Sequence, residues 1–292
     1  MTATTIDMTT HTLEVPGATL TYDVRSGSQD AAPLFLIGGP MGAAGFTTLA
    51  RHFADRTVIT YDPRGSERSQ KTDPLEPSPP DVHADDLHRI IQELGGGPVD
   101  LFGSSGGAVF GLALVAKHAE DVRMLIAHEP PLASALPDRE NAMAAARAIH
   151  DTYDQRGWGA GMAHFIQVVS HRGEFPDGFA QQPAPDPAMF GMPAEDDGSR
   201  TDPMLGSHIV TTTQYEPDFD ALGAASTRIV VAAGSESEGE MANRGAYAVA
   251  EKLGTKVVVF PSDHGGFLGG EYGQTGKPDE FAAKLRQVLD ED

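Results

Sequence analysis

Short apolar runs recur along the chain, and polar segments with helical periodicity separate them. The runs cover residues 33–39, 57–62, 99–103, 124–129, 228–234 and 256–264. Runs that are this short and almost wholly apolar are typical of strands buried on both faces of a parallel sheet. Residues 13–24 differ, because a Pro-Gly turn divides them and predicts two shorter strands on either side of it.

Amphipathic helices are predicted between the runs. Residues 80–96 begin with proline, repeat apolar residues at helical spacing and stop at glycine. Residues 240–254 and 277–292 also repeat apolar residues at helical spacing. Strands that alternate with helices on this scale predict a doubly wound, mostly parallel α/β sheet.

The alternation stops in the second half of the chain, where residues 133–223 combine helical patterns with proline-rich loops. We therefore expect a core formed by residues 1–132 and 224–292, with residues 133–223 inserted as a helical lid over the carboxyl edge of the sheet. Four large apolar residues of this lid are candidates for the lining of a substrate pocket, with the core of the lid as the alternative: Trp158, Met162, Phe165 and Met189.

Charge and composition exclude several classes of partner. Among the 292 residues, 21 are basic and 42 acidic, for a net charge of −21, which repels nucleic acid and anionic membrane surfaces. There is no cysteine, and hence no disulfide, thiolate metal site or thiol nucleophile. No apolar stretch is long enough to cross a membrane and the first residues do not resemble a secretory signal. We expect a cytoplasmic protein that acts on a small molecule. The sequence does not determine its oligomeric state.

Residues 103–107 read Gly-Ser-Ser-Gly-Gly and match the pattern G-x-S-x-G. The pattern is weak by itself in a chain with 33 glycines, and a glycine-rich turn would also produce it. Here it joins a predicted buried strand to a predicted helix, and Gly103 and Gly107 leave room for a sharp turn. Such a turn exposes the Ser105 hydroxyl at a helix N-terminus, where negative charge is stabilised. We expect Ser105 to be a nucleophile.

A serine nucleophile needs a general base. His264 is the last residue of the final run, so we expect it just beyond the carboxyl end of a strand, on the same sheet edge as Ser105. The glycines after it leave room for a mobile imidazole. Most other histidines fall in the N-terminal tail, in predicted helices or in the insertion. His264 is therefore the expected base.

The stretch from His83 to His88 contains the residue types of a metal site. Its spacing fits one face of a helix, however, and does not match the His-x-His-x-Asp-His pattern of hydrolytic zinc enzymes. We expect no metal and no cofactor.

Several of these stretches together resemble the α/β-hydrolase fold superfamily, and the resemblance extends over residues 13–290. It is carried by Ile-Gly-Gly-Pro-Met-Gly at 37–42, Asp-Pro-Arg-Gly at 62–65, the serine motif at 103–107 and Asp-His-Gly-Gly at 263–266. The first stretch is similar to the H-G-G-P-G oxyanion loop of proline-iminopeptidase-like members, with Ile37 in place of the histidine. The resemblance implies an α/β-hydrolase fold and a serine hydrolase.

Acyl transfer by a serine needs two N–H groups directed at the developing oxyanion. One comes from the residue after the nucleophile, Gly106. The other comes from the loop after the first parallel strand, where Pro40 has no N–H. Gly39 is the first choice for this second donor, and Met41 is the next.

The acid that orients the base is where the sequence departs from the superfamily. Most members place an aspartate three residues after the glycine that ends the penultimate strand, but Ser237 occupies that position, flanked by Glu236 and Glu238. Glu129 ends an earlier strand and is followed by two prolines. Its separation from the serine resembles zearalenone-lactonase-like hydrolases, which use a Ser-His-Glu triad. The resemblance implies Glu129 as the acid, with Glu236 or Glu238 as alternatives. The other interpretation of Glu129 is a carboxylate that caps a loop or pairs with an arginine.

These residues predict a cofactor-free serine hydrolase that cleaves an ester or lactone of a moderately apolar small molecule through an acyl-enzyme. One alternative is a proline-iminopeptidase-like aminopeptidase, in which Glu195, Asp196 and Asp197 would hold a free amino terminus. Another is a non-catalytic protein of the same fold that binds a small molecule, since fold does not determine function.

Overall fold

The computed structural model describes residues 8–28 and 30–291, so residues 1–7, 29 and 292 of the predicted core lie outside it. The strands are β1 (Met8–Val15), β2 (Ala18–Arg25), β3 (Leu34–Ile37), β4 (Val58–Asp62), β5 (Gln70–Lys71), β6 (Val99–Ser104), β7 (Val122–His128), β8 (Arg228–Gly234) and β9 (Val258–Phe260). The helices are α1 (Thr47–Arg51), α2 (Pro80–Glu93), α3 (Gly106–Lys117), α4 (Arg139–Val169), α5 (Ile209–Thr213), α6 (Phe219–Ala224), α7 (Met241–Lys252) and α8 (Pro278–Asp290).

The strands form one sheet in the order β1-β2-β4-β3-β6-β7-β8-β9, with β5 paired to β2. The strands from β4 to β9 in this order run parallel, and β1, β2 and β5 add antiparallel pairs at one end. The predicted doubly wound, mostly parallel sheet is therefore confirmed. The last strand is shorter than its apolar run predicted. Pro261 follows Phe260 without an N–H for the ladder, and Ser262 has a φ of 70°.

Helices cover both faces of the sheet. Alternate residues of β3 point to opposite faces, so Phe35 belongs to the apolar cluster that includes residues of α2, α3 and α7, whereas Leu36 belongs to the one that includes residues of α1 and α8. Both side chains are fully buried. Burial on both faces explains why these strands have no alternating polar positions in the sequence.

The segment between β7 and β8 carries α4, α5 and α6. Helix α4 bends at Gly157, whose φ of 82° is accessible to glycine, and packs with α5 around a separate apolar cluster that includes Tyr153 and Leu205. Leu222 of α6 packs instead with the sheet and α3. Within residues 8–28 and 30–291, no helix is both long and apolar enough to cross a membrane.

Candidate active site

A strained turn at Ser105 joins β6 to α3. Ser105 has a φ of 58° and a ψ of −126°, a conformation that L-residues rarely adopt. A Cβ atom at Gly103 would lie 2.6 Å from the Gly107 carbonyl oxygen, and one at Gly107 would lie 2.3 Å from the Ile37 carbonyl oxygen. Both positions therefore require glycine, as the motif predicted. The turn presents Ser105 at the carboxyl edge of the sheet and at the N-terminus of α3.

Neighbouring strands bring Glu129 to the same edge. Ser104 pairs with His128 in the register of β6 and β7. Ser105 and Glu129, which directly follow these two residues, therefore lie side by side at the carboxyl edge of the sheet. The Glu129 N–H donates to the Ala232 carbonyl at 2.9 Å, which continues the ladder toward β8 by one residue. The φ of Glu129 is 49°, so this residue also lies in a strained turn.

The Glu129 carboxylate contacts His264 directly. Its Oε2 lies 2.6 Å from Nδ1 of His264, which follows β9. The Glu129 side chain is fully buried, whereas the His264 side chain is 39% exposed. A buried carboxylate on Nδ1 of a partly accessible imidazole leaves Nε2 available to a serine hydroxyl. This contact is the one expected of a triad acid and its base.

The second oxygen of Glu129 is also satisfied. Oε1 accepts from the Gly234 N–H at 2.8 Å, from Asn243 Nδ2 at 3.2 Å and from the Ser237 hydroxyl. Ser237 occupies the position where most superfamily members have their acid. A serine there is short enough to leave space for Glu129 and supplies a donor to it. Sequence reasoning missed this role of Ser237 and that of Asn243, although the unusual serine was the available signal.

These contacts set the protonation of the pair. Burial alone would raise the pKa of the Glu129 carboxyl, but the hydrogen bond and charge of His264 hold that pKa well below its usual range. Desolvation alone would lower the pKa of the His264 imidazole, but the hydrogen bond and charge of Glu129 raise it above the ordinary value. Glu129 is therefore ionised, and His264 readily accepts a proton.

The alternative acids lie elsewhere. Glu236 is exposed and pairs with Lys277. Glu238 is also exposed, while Ser237 between them points inward and is fully buried. The structure therefore brings Glu129 to His264, and leaves Glu236 and Glu238 on the outer side of the loop.

Gly39 and Gly106 lie against each other. A Cβ atom at Gly39 would lie 2.8 Å from the Gly106 carbonyl carbon and 2.9 Å from the Gly107 nitrogen. The loop after β3 therefore passes directly over the N-terminus of α3, an approach that only glycine permits. The N–H groups of Gly39 and Gly106 belong to two segments that meet beside Ser105, as an oxyanion hole requires.

Two cavities lined by described residues meet at Ser105 and His264. One is about 290 Å³ and more enclosed, with Phe165 and Ile209 among its apolar walls. The other is about 690 Å³ and more open, with Trp158 among its walls. Met162 also lines the larger cavity, so three of the four expected lid residues do line the site.

The expectation for Met189 is wrong. Met189 is 76% exposed and lies outside both cavities. Glu195, Asp196 and Asp197 also lie outside them, and Asp196 pairs with Arg200 at 2.7 Å. These acidic residues are therefore in no position to hold the amino terminus of a substrate at Ser105.

The stretch from His83 to His88 lies on α2 as expected. His83 is buried and stacks on Phe110. His88 Nδ1 lies 2.6 Å from Asp121, and its ring stacks on His118 with centroids 3.9 Å apart. Ligand atoms of His88, His118 and Asp121 lie within 4.8 Å of one another. Two parallel stacked rings cannot both direct an in-plane nitrogen lone pair at one ion, so this arrangement does not fit a metal.

Comparison with known proteins assigns the chain to a family. Residues 34–159 match the family model described as alpha/beta hydrolase fold. The chain is 31% identical over 300 residues to YraK of Bacillus subtilis strain 168, an uncharacterized hydrolase, and the alignment covers 96% of each chain. The chain belongs to the α/β-hydrolase fold superfamily. The resemblance found in the sequence is thereby confirmed at the level of the superfamily.

Solved structures agree on the fold of this α/β-hydrolase. A thermophilic esterase from Thermogutta terrifontis superposes with a TM-score of 0.65 at 19% identity, covering 97% of this chain and 98% of the other. The α/β-hydrolase MGS-M2 from a Medee basin deep-sea metagenome library superposes with a TM-score of 0.70 at 13% identity, with the same coverage. At these identities the likeness concerns the fold alone.

Proposed function

We propose that the protein is a serine hydrolase that cleaves an ester or lactone bond of a moderately apolar small molecule through an acyl-enzyme. The observation that carries the proposal is the 2.6 Å contact between Glu129 Oε2 and His264 Nδ1, at the sheet edge that also presents Ser105. A buried carboxylate stabilises one tautomer of the imidazole and the imidazolium that forms during the reaction.

The chemistry proceeds in two halves. In the first, His264 Nε2 takes the proton of Ser105 while Oγ attacks the substrate carbonyl, and the N–H groups of Gly39 and Gly106 bind the oxyanion. The tetrahedral intermediate then collapses, and His264 donates the proton to the departing alkoxide. In the second half, His264 takes a proton from water as the water oxygen attacks the acyl carbonyl. The second tetrahedral intermediate then collapses, His264 returns the proton to Ser105 Oγ, and the acid is released.

The cavities indicate how an ester would lie. The enclosed cavity of about 290 Å³ includes Gly106, so the acyl chain would extend into it from the oxyanion hole. The residues after His264, among them Phe267 and Leu268, line the cavity of about 690 Å³. The leaving group must reach His264 to be protonated, and we assign it to this larger cavity. Both are of the size and apolar character of small-molecule sites.

The aminopeptidase alternative has one feature in its favour. Glu240 lines the enclosed cavity, and its carboxylate is of the chemistry that binds an amine. Arg172 already donates to Glu240 at 3.0 Å, however, so a substrate amine would compete with that arginine. We therefore prefer neutral ester and lactone substrates.

The test combines labelling with a substrate screen. A fluorophosphonate should modify Ser105 rapidly and with one label per chain, and Ser105→Ala should remain unlabelled. Wild type should then hydrolyse members of a panel of p-nitrophenyl esters and lactones faster than aminoacyl anilides. Labelling with no turnover of any ester or lactone would contradict the proposed substrate class. The absence of labelling would instead favour a binding protein.

A further inference from the structure

His208 is a buried histidine at the active site that the proposed mechanism does not use. It ends a π-helix formed by Met204–His208 in the segment between β7 and β8, and α5 begins immediately after it. Single turns of π-helix are uncommon and occur often at functional sites. The side chain is only 9% exposed, and it lines the enclosed cavity together with Ser105 and His264.

The imidazole of His208 lies against the backbone of the expected oxyanion hole. A Cβ atom at Gly106 would lie 2.5 Å from His208 Nε2 and 2.6 Å from the Gly39 carbonyl oxygen. The ring, the loop after β3 and the N-terminus of α3 therefore converge on one point. An interaction with the Gly39 backbone opposes the effect of burial on the pKa of the His208 ring.

Thr212 and Phe110 also contact the His208 ring. Thr212 Oγ1 lies 3.3 Å from Nδ1 and 3.4 Å from Nε2. Phe110 packs edge-to-face on the ring, with centroids 5.5 Å apart. Burial lowers the pKa of His208 to about 4, so the ring is neutral near pH 7. A neutral imidazole with its proton on Nε2 has one donor, Nε2–H, and one acceptor, Nδ1.

We infer that His208 is a positioning residue of the oxyanion hole, which it fixes by donating a hydrogen bond from Nε2 to the Gly39 carbonyl. Gly39 has no side chain to restrict its backbone, so a bond to its carbonyl limits rotation about its Cα and orients its N–H. The loop has Ile37 where the similar H-G-G-P-G loop has a histidine. In this chain an imidazole reaches the loop from the inserted segment.

This inference rests on the proposed function and has a distinct consequence. The inserted segment would then contribute to transition-state stabilisation as well as to the pocket walls, because the oxyanion forms only in the tetrahedral intermediate. Misorientation of the Gly39 N–H should therefore lower kcat and leave KM nearly unchanged.

Two substitutions at one position separate positioning from packing. His208→Leu removes the donor and keeps an apolar side chain, and His208→Gln keeps an N–H donor. The value of kcat is expressed per fluorophosphonate-reactive site. We expect His208→Leu to lower kcat 10- to 100-fold and to change KM by less than threefold. We expect the kcat of His208→Gln to stay within fivefold of wild type. Affinity for a trifluoromethyl ketone, which mimics the tetrahedral oxyanion, should fall by the same factor as kcat.

A matched control is available in the same segment. His164 is 2% exposed, lies on α4 and contacts Thr152 at 2.8 Å. His164→Leu should leave kcat per reactive site within twofold of wild type. Equal kcat for wild type and His208→Leu would overturn the inference, and so would equal losses in His208→Leu and His208→Gln. If His208→Leu does not fold, Thr212→Val replaces it and should lower kcat three- to tenfold; an unchanged kcat would count against the inference.

A second readout does not depend on turnover. In protein labelled with ¹⁵N-glycine, the Gly39 amide resonance should shift in His208→Leu and return toward its wild-type position in His208→Gln. A resonance that is unchanged in both variants would overturn the inference even if the protein hydrolysed esters. If neither esters nor the fluorophosphonate react with wild type, the proposed function fails, and this readout still decides whether His208 orients Gly39.

Discussion

The edge of the sheet and the inserted segment contribute to one site by different means. At the sheet edge, parallel strands in fixed register hold Ser105 and Glu129 at the same level, and both residues adopt strained backbone conformations. In the segment between β7 and β8, helices packed around their own apolar cluster supply cavity walls such as Phe165. A ladder of backbone hydrogen bonds fixes reacting groups accurately, whereas packed side chains fix the shape of a pocket.

The difference implies a division of roles that mutations can test. Changes at the sheet edge should reduce the rate for every substrate by a similar factor. Changes to the pocket walls should alter the preference among substrates and leave the chemical step intact. The inferred role of His208 is the exception that joins the two regions.

The largest effect is expected at the nucleophile and base. Ser105→Ala and His264→Ala should each lower kcat about 10⁵-fold, and the double variant should be no worse than either, because the residues act as one unit. The measurement is kcat of purified variants on the best ester of the panel. If Ser105→Ala kept more than a tenth of wild-type activity, the acyl-enzyme mechanism would be wrong.

The next effect concerns the acid. Glu129→Gln should lower kcat about 10²- to 10⁴-fold, because the imidazolium loses its carboxylate and the amide does not favour the required tautomer. Glu236→Gln and Glu238→Gln are the controls and should stay within threefold of wild type, as solvated carboxylates contribute little. A large loss in either control, with Glu129→Gln active, would return the acid to the loop after β8.

A smaller effect, and one on preference, is expected from the pocket wall. Phe165→Ala enlarges the enclosed cavity and should shift the optimum to a longer acyl chain, changing the ratio of kcat/KM for long and short esters about tenfold. Met189→Ala, at an exposed position of the same segment, is the control and should leave the ratio unchanged. A uniform loss for all chain lengths in Phe165→Ala would contradict the assignment of this cavity to the acyl group.

The smallest effect is expected at Ser237, which donates a hydrogen bond to the Glu129 carboxylate. Ser237→Ala removes one donor to Glu129 Oε1 and should lower kcat about three- to tenfold, since Gly234 and Asn243 still hold the carboxylate. Ser235→Ala, two residues away on the exposed side of the loop, should have no measurable effect. An equal response of both variants would mean that the Ser237 contact does not orient Glu129.

Much of the sheet edge could be predicted from sequence because its signals are local. The apolar runs predict the buried strands, and glycines at 103 and 107 predict the turn at Ser105, since any side chain there would collide with backbone. Glu129 was identified through its place at a strand end and a resemblance. Ser237 and Asn243 were missed because their role depends on contacts across the sheet, which no local pattern encodes.

The inserted segment was harder to predict for a physical reason. Met189 lies in a proline-rich loop, which has no periodicity that would distinguish an inward from an outward position, whereas Phe165 lies on helix α4. The π-helix at Met204–His208 departs from the helical period as well. Nothing in the sequence therefore indicated that His208 faces the loop of Gly39.

The most direct test of the central claim, that Glu129 is the partner of His264, is an NMR titration of the His264 imidazole in wild type, Glu129→Gln and Glu236→Gln. Loss of the carboxylate removes the interaction that raises the pKa of His264. We predict that the pKa of His264 lies above 6.5 in wild type and in Glu236→Gln, and that it is lower in Glu129→Gln. The low-pH side of the kcat/KM profile, which reports this pKa, should accordingly move to lower pH in Glu129→Gln. An unchanged pKa in Glu129→Gln, or a fall confined to Glu236→Gln, would contradict the account.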